Sequence, residues 1–477
     1  MEYKKSKLKS FGVLLVALLM MVCLAFGGCS LGGDKGIAKI EKTGTSGLTD
    51  IYTITYTDGS TYQFYIENGK DGADATSPSI QDIYNEYVRV YGDITYDEFL
   101  KLYLKSGTVD NTTTINNCLQ SCLKLYSEFK ITETIGWGIY ENANKRLGVS
   151  CGSGVIYKID NDYTYVLTNY HVVYNASAGA ANGGKIASAI RGYLYGSEEK
   201  PYASGVLEDG YDVYSYGDYA IDFEYVGGAV EYDIAIVRAH TSDVIAINEN
   251  AKAVTLADSY HVGQTAIAIG NPENEGISAT EGIISVDNEY INLDIDGNIR
   301  SYRSIRIDTA IYEGSSGGGL FNSDGELIGI TNAGDNDDQN VNYAIPLEII
   351  KNVVGNLLFY YDGTTPAEVK KVILGITVDT SNSKYVYDES KGYGQIVETI
   401  TIESVTENSI FAQLGIKEGD ILISLTLNGV ETKLNRDFEI GNVILQVRPN
   451  DTISATYKRG VTTTQTSNYI VKASDLT

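Results

Sequence analysis

The amino-acid sequence predicts a mainly β protein of several domains with one helical segment near its N-terminal end. Three observations carry that expectation. From about Thr132 to Ile350 the chain is a succession of short β-forming runs broken by Gly and Asn/Asp turns, the pattern of a sandwich or barrel. Between residues 37 and 72 apolar and polar residues alternate with period two, and over 80–130 the spacing turns helical. At 477 residues the chain exceeds what a single hydrophobic core organises, so two to four domains are expected.

Taken in order, residues 1–28 read as a signal peptide. Lys4, Lys5, Lys7 and Lys9 precede an unbroken apolar run from Phe11 to Phe26, short for a membrane span. The next residues, Phe26-Gly27-Gly28-Cys29, resemble a bacterial lipoprotein signal, which implies cleavage before Cys29 and lipidation of its sulfur. Leu31-Gly32-Gly33-Asp34 would then be a flexible tether.

Residues 29–79 are read as that tether with a small β unit. Ile51, Thr53, Thr55 and Thr57 alternate with Tyr52, Ile54 and Tyr56, and Asp58-Gly59 supplies a turn. Tyr62, Phe64 and Ile66 continue the alternation to Asn68-Gly69, and Asp71 to Ser79 is a polar linker. Residues 80–130 form the helical segment, through Ile83, Tyr84, Tyr87 and Val88, then Phe99 and Tyr103, then Ile115, Leu119, Leu123 and Tyr126. Residues 131–359 make the β-rich domain, in which 175–228, rich in Gly, Ala and Tyr, reads as a long insertion. Leu347 to Phe359 is helical, Tyr360 to Pro366 is a linker, and 367–475 is a last domain.

Charge narrows the partners. The chain carries −26, and loss of residues 1–28 with their four Lys and one Glu would take it to −29. Such acidity repels nucleic-acid phosphates and anionic lipid surfaces, so no nucleic acid is expected and any membrane link must be the N-terminus. Beyond Cys29 only Cys118, Cys122 and Cys151 remain, a poor disulfide framework. With no His nearby, Cys118 and Cys122 are expected as buried thiols on one helix face, with no metal.

Three segments carry chemistry. Val166 to Val173 is an apolar strand ending in a turn with His171; Asp233 opens the apolar run Ile234-Ala235-Ile236-Val237; Ser316 lies in the turn Glu313-Gly314-Ser315-Ser316-Gly317-Gly318-Gly319. Each alone has a plain structural reading, as a core imidazole, a strand-start turn residue or a flexible loop. Together they stand in the order His, Asp, Ser, each at a strand end. A serine hydroxyl is a weak nucleophile until an imidazole takes its proton, and the imidazole needs a carboxylate to hold its tautomer. Glycines let the turn aim backbone N–H groups, here those of Gly314 and Ser316, at a developing oxyanion.

At these residues the chain resembles the HtrA/Deg family of trypsin-like serine proteases bearing PDZ domains. The likeness runs through Gly152-Ser153-Gly154, Thr168-Asn169-Tyr170-His171-Val172-Val173, Asp233 to Val237, Ala268-Ile269-Gly270-Asn271-Pro272, Gly314 to Gly318, Gly325 to Ile330 and Tyr343 to Pro346. It departs at Ser315 and Gly319, where the family usually has Asn and Pro, and in the long separation of His171 from Asp233. Asp222 stands as a competitor for the acid.

The resemblance implies a chymotrypsin-like double β-barrel with His171, Asp233 and Ser316 catalytic and no cofactor. It also implies a specificity pocket at Ala310, Ile311 and Tyr312 that suits aliphatic side chains, unless Glu313 turns inward. The last domain would be a PDZ module whose Leu374-Gly375-Ile376 loop receives a peptide carboxylate. Unfolded or damaged exported proteins would be the substrates, and a homotrimer the assembly. An inactive scaffold or a surface adhesin are the competing readings, and a serine-directed active-site probe separates them from an enzyme.

Overall fold

A computed structural model describes residues 37–477 apart from 47–48, 58, 68–79, 93, 97–98, 100–110, 136–141, 180–184 and 335–339. The signal segment, Cys29, the tether and the 71–79 linker lie outside the described residues. The chain divides into two compact units, residues up to Val109 with Val386–Gln395, and Asp110–Tyr385 with Ile396–Thr477.

In the smaller unit β1 (Ile37–Ser46), β2 (Thr49–Tyr56) and β3 (Thr61–Glu67) form an antiparallel meander. Tyr52 and Phe64 face each other in register and stack at 5.3 Å, the cross-strand contact that period-two spacing provides. The helix Ile80–Tyr91 brings Tyr84 and Tyr87 onto the buried ring of Phe99.

The larger unit contains two closed barrels. The first uses β4 (Cys122–Ile135), β5 (Asn142–Ile159), β6 (Tyr163–Thr168) and β7 (Ala189–Leu194). After a separate hairpin of β8 (Tyr202–Glu208) and β9 (Tyr211–Ser215), β10 (Ile221–Ala229) and β11 (Ile234–His240) complete it. The strand order β11-β6-β5-β4-β7-β10, with β10 paired back to β11, closes the sheet on itself.

The second barrel follows β12 (Thr255–Leu256). It comprises β13 (Thr265–Gly270), β14 (Ser278–Asp294), β15 (Ile299–Ile307), β16 (Gly319–Phe321), β17 (Glu326–Gly334) and β18 (Asn342–Pro346). Its order is β17-β16-β13-β14-β15-β18, and β18 closes onto β17. Strand β11 explains why its sequence is apolar at consecutive positions. Ala235 and Val237 face the first barrel's interior with Ile156 and Val166, while Ile234 and Ile236 belong to the core shared with Ile267, Phe321 and Ile330 of the second. Both faces are dry, at about 1.5–3 kcal/mol per large aliphatic side chain buried.

A helix, Leu347–Tyr360, leaves the second barrel, and β19 (Ala367–Glu368) pairs in parallel with β10. The last domain places β20 (Ile376–Asp388), β21 (Tyr393–Val405), β22 (Ile421–Leu427), β23 (Val430–Lys433), β24 (Thr452–Arg459) and β25 (Thr462–Gln465) in the order β20-β21-β22-β24-β25, with β23 on β22. Phe411, Leu425, Val447 and Ile453 fill its core. It is fastened to the barrels by Asn356 Nδ2 donating to Leu445 O at 2.8 Å and by Arg303 lying 3.6 Å over the Phe438 ring.

Three sequence expectations are corrected. The helical spacing ends at the helix Thr112–Leu119, and Cys122–Ile135 is the first barrel strand, so the barrel begins before residue 131. Leu119, Leu123 and Tyr126 fit a helix by coincidence; Leu123, Leu125, Phe129 and Ile131 also fit a strand, and pairing to β5 and β7 decides it. Cys118 and Cys122 are buried free thiols, yet only Cys118 is helical. Finally, 175–228 is not one insertion, since it contains the barrel strand β7 and most of β10, whose Ile190, Leu194, Ile221 and Phe223 are core residues.

Candidate active site

The pairing of β6 with β11 explains how two residues far apart in sequence meet. Thr168 ends β6 opposite Ala235, the second residue of β11, so the chain just beyond β6 and just before β11 emerge together. His171 sits in the one-turn helix Tyr170–Val173, whose Val172 and Val173 are buried and anchor it. Asp233 caps the short helical turn Val230–Tyr232 with φ 52° and ψ 41°, a left-handed conformation that Asp tolerates better than most residues. Its carbonyl accepts from Tyr170 N–H at 3.1 Å and from Asn169 Nδ2 at 3.0 Å.

The Asp233 carboxylate is fully buried and grips His171 twice. Oδ1 accepts from the His171 backbone N–H at 2.9 Å and Oδ2 from Nδ1 at 2.8 Å. Assigned from this network, the Nδ1–H tautomer leaves Nε2 free to accept a proton. Asp222 is elsewhere: its side chain is 83% exposed and pairs with Arg191 at 3.0 Å.

Ser316 comes from the second barrel, in the turn before β16. Its carbonyl accepts from Ser153 N–H at 2.8 Å, which ties the turn to β5 of the first barrel. Gly314 and Gly317 have φ of +93° and +85°, and an added Cβ would lie 2.4 Å from Asn271 O and 2.3 Å from Ser153 O, so both positions require glycine. Ser315 is buried, its N–H bonded to Tyr312 O at 2.9 Å and its carbonyl accepting from Thr331 Oγ1 at 2.6 Å, so the turn is held without the family's usual Asn. Among the described residues the N–H groups of Gly314 and Ser316 have no acceptor. Ser316 Oγ donates to Asn332 O on β17 at 3.1 Å, and among the described residues no hydrogen bond joins it to His171.

Burial alone would depress the His171 imidazole, but the charge and hydrogen bond of Asp233 outweigh it and raise its pKa. The ordinary imidazole value is about 6.5. Protonated Nε2 cannot act as a base, so kcat/KM is expected to fall as pH drops through a value above that figure. Stability runs the other way. With the folded pKa raised, the His171–Asp233 contribution is fully present below the unfolded value and is lost as pH rises through the folded one. A rate profile flat over roughly pH 5 to 8, with the fold intact, would contradict a histidine base.

The pocket residues separate. Ile311 is 9% exposed in the second-barrel core, Ala310 is partly buried with its carbonyl bonded by Thr280 Oγ1 at 2.8 Å, and Tyr312 is half exposed. Glu313 points to solvent. In the last domain Leu374 is core, Gly375 has φ +76°, and Ile376 begins β20, the terminal strand of its sheet. Sequence reasoning gave no role to Asn169, Thr331 or Asn332. Thr168-Asn169 was part of a recognised motif, but nothing local marks Thr331 and Asn332, which meet the serine turn only through strand pairing.

Residues 152–330 match the family described as the trypsin-like peptidase domain. The chain is 28% identical over 334 residues to Serine protease Do-like HtrA of Lactococcus lactis subsp. cremoris, an alignment covering 67% of this chain and 70% of that protein. It is 32% identical over 288 residues to the Periplasmic serine endoprotease DegP of Escherichia coli K12, covering 58% and 48% respectively. To Serine endoprotease DegS of Haemophilus influenzae it is 28% identical over 327 residues, covering 67% and 76%. The matched domain spans both halves of the site, β5 and His171 on one side and the Ser316 turn on the other, and over it the chain is similar to the trypsin-like serine endopeptidases of the HtrA/Deg family.

Proposed function

We propose that this chain is an exported, lipid-anchored endopeptidase of protein quality control in which His171, Asp233 and Ser316 form the catalytic triad. The observation that carries the reading is the double grip of buried Asp233 on His171, which fixes both ring position and tautomer. In the reaction Ser316 Oγ turns from the Asn332 carbonyl to His171 Nε2 and gives up its proton as it attacks the scissile carbonyl. The imidazolium is stabilised by Asp233 and returns the proton to the leaving amine. The free N–H groups of Gly314 and Ser316 receive the oxyanion, each worth about 3 kcal/mol of barrier. The inactive-scaffold and adhesin readings have no use for this arrangement.

Ala310, Ile311 and Tyr312 are proposed to line the pocket for the side chain before the scissile bond. None of these three residues is an acid, Glu313 is exposed, and burying an unpaired Lys or Arg would be costly. Small or medium aliphatic side chains fit instead, and these become accessible when proteins unfold. Peptide-library profiling is expected to give cleavage after Val, Ala, Ile or Leu; dominant cleavage after Lys or Arg would overturn the pocket. The last domain is proposed to be a PDZ module at which a peptide adds alongside β20, its carboxylate meeting the Leu374-Gly375-Ile376 loop. Cys29 lipidation would hold the enzyme on the outer side of the cell membrane, and a homotrimer is the proposed assembly. Comparing cleavage of one protein in unfolded and folded form tests the function: equal rates on both would contradict quality control.

A further inference from the structure

Besides the Ser315 N–H bond to Tyr312 O within the turn, two hydrogen bonds from outside it hold the peptide planes flanking Gly314, and neither comes from the triad. The Glu313 carbonyl accepts from Glu273 N–H at 2.6 Å. A trans peptide sets its C=O and N–H on opposite sides, so this bond directs the Gly314 N–H the other way, where among the described residues it meets no acceptor. In the next plane the Gly314 carbonyl accepts from Ser153 Oγ at 2.8 Å, and that oxygen in turn accepts from Asn271 N–H at 2.8 Å.

Ser153 is 1% exposed, and its hydroxyl uses its one proton and a lone pair on these two partners. It therefore ties the Gly314 turn to the segment Asn271–Gly276, which also supplies the Glu273 N–H. That segment is itself built stiffly. Glu273 and Asn274 have φ of 53° and 58°, the Asn271 carboxamide accepts from Gly276 N–H at 3.0 Å, and its Nδ2 donates to Cys151 Sγ at 3.0 Å. The backbone N–H of Ser153 holds the Ser316 carbonyl as well. One residue of the first barrel thus contacts the chain on both sides of the nucleophile.

We propose that Ser153 is a positioning residue for the oxyanion turn: its hydroxyl, bridging Asn271 N–H and Gly314 C=O, keeps the Gly314 N–H aimed at the reacting carbonyl oxygen. This rests on the reading of Gly314 and Ser316 as the oxyanion donors. Ser153→Ala removes the bridge, leaves two buried polar groups without their partner, and loosens the Gly314–Ser315 plane, which keeps the Ser315 N–H bond to Tyr312 O but loses its tie to Asn271–Gly276. Among the described residues no hydrogen bond joins Ser153 to His171 or to Ala310, Ile311 and Tyr312, so the loss is expected in the chemical step and in transition-state binding.

The test is steady-state kinetics of the full chain with Ser153→Ala, joined to inhibition by a peptide boronate, which places an anionic oxygen where the oxyanion forms. Losing part of one oxyanion contact predicts a kcat lower by about 10- to 100-fold, with KM within about threefold. Boronate affinity should weaken in proportion to kcat/KM, and the acid limb of the pH profile should stay in place. Should Ser153→Ala not fold, the same-shaped pair Ser153→Thr and Ser153→Val isolates the hydroxyl, with Thr expected to be the active member. Wild-type kcat and boronate affinity in folded Ser153→Ala, a loss confined to KM, or equal activity of the Thr and Val forms would overturn the proposal. Activity surviving Ser316→Ala would instead sink the underlying nucleophile reading.

Discussion

Replacing Ser316 with Ala is expected to lower kcat by on the order of 10⁶-fold with the fold intact. The turn does not depend on the hydroxyl. Its backbone is held by Ser153 N–H on the Ser316 carbonyl, by Gly317 N–H on the Thr331 carbonyl at 3.0 Å, and by the two positive-φ glycines. The hydroxyl itself contributes one bond to Asn332 O, so thermal stability should barely change. Ser315→Ala makes the contrast. That side chain is buried and only 3.4 Å from Tyr312 N–H, while the residue's own backbone bonds remain, so activity should stay within about tenfold of wild type. Equal loss from both changes would mean that the turn, rather than one hydroxyl, is what matters.

The second large effect is expected from Asp233→Asn, a fall in kcat on the order of 10⁴-fold. Asn tolerates the left-handed backbone at this position, and the residue's carbonyl keeps its bonds to Tyr170 and Asn169, so the local chain should persist. The carboxamide can still accept from the His171 N–H with its oxygen. Its NH₂ then faces Nδ1, which must become an acceptor, and the ring proton moves to Nε2, where it blocks general-base action. With the carboxylate gone, burial is left to act on the imidazole and its pKa should drop. What activity remains should therefore show its acid limb at lower pH than wild type. Asp222→Asn, at an exposed pair with Arg191, should leave kcat and the pH profile unchanged; a large loss there would reassign the acid.

How much of this could be read from the sequence depended on whether the signal was local. His171, Asp233 and Ser316 were legible as candidates because each stands at the end of an apolar strand beside a turn, and the structure brings the first two into contact. Such ends are marked by residue type, by the valines after His171 and the glycines around Ser316. The β meander near the N-terminus was legible for the same reason, its alternation being complete within each strand. Strand β4 was not. Its barrel-facing Leu123, Leu125, Phe129 and Ile131 alternate, but the other face is also covered, by a cluster of Tyr126, Tyr193 and Tyr216, so Leu119, Leu123 and Tyr126 read equally well as one face of a helix. Strands β7 and β10 were hidden in a Gly- and Tyr-rich composition that suggested a loop. Least legible was the support of the site. Ser153, Asn271 and the pair Thr331-Asn332 lie on three different segments, and only closure of the two barrels brings them to the serine turn.

The measurement that bears most directly on the account is the site of covalent labelling by a fluorophosphonate, mapped by mass spectrometry of the digested protein. In the proposed site His171 would remove the serine's proton and the Gly314 and Ser316 amides would stabilise the pentacoordinate anion, so labelling tests the whole constellation. The account predicts a single adduct on Ser316, formed near neutral pH, suppressed below the acid limb of the rate profile and absent from Asp233→Asn on the same timescale. An adduct on Ser315 or on a serine outside the turn, or peptidase activity that persists with Ser316 unlabelled, would contradict it.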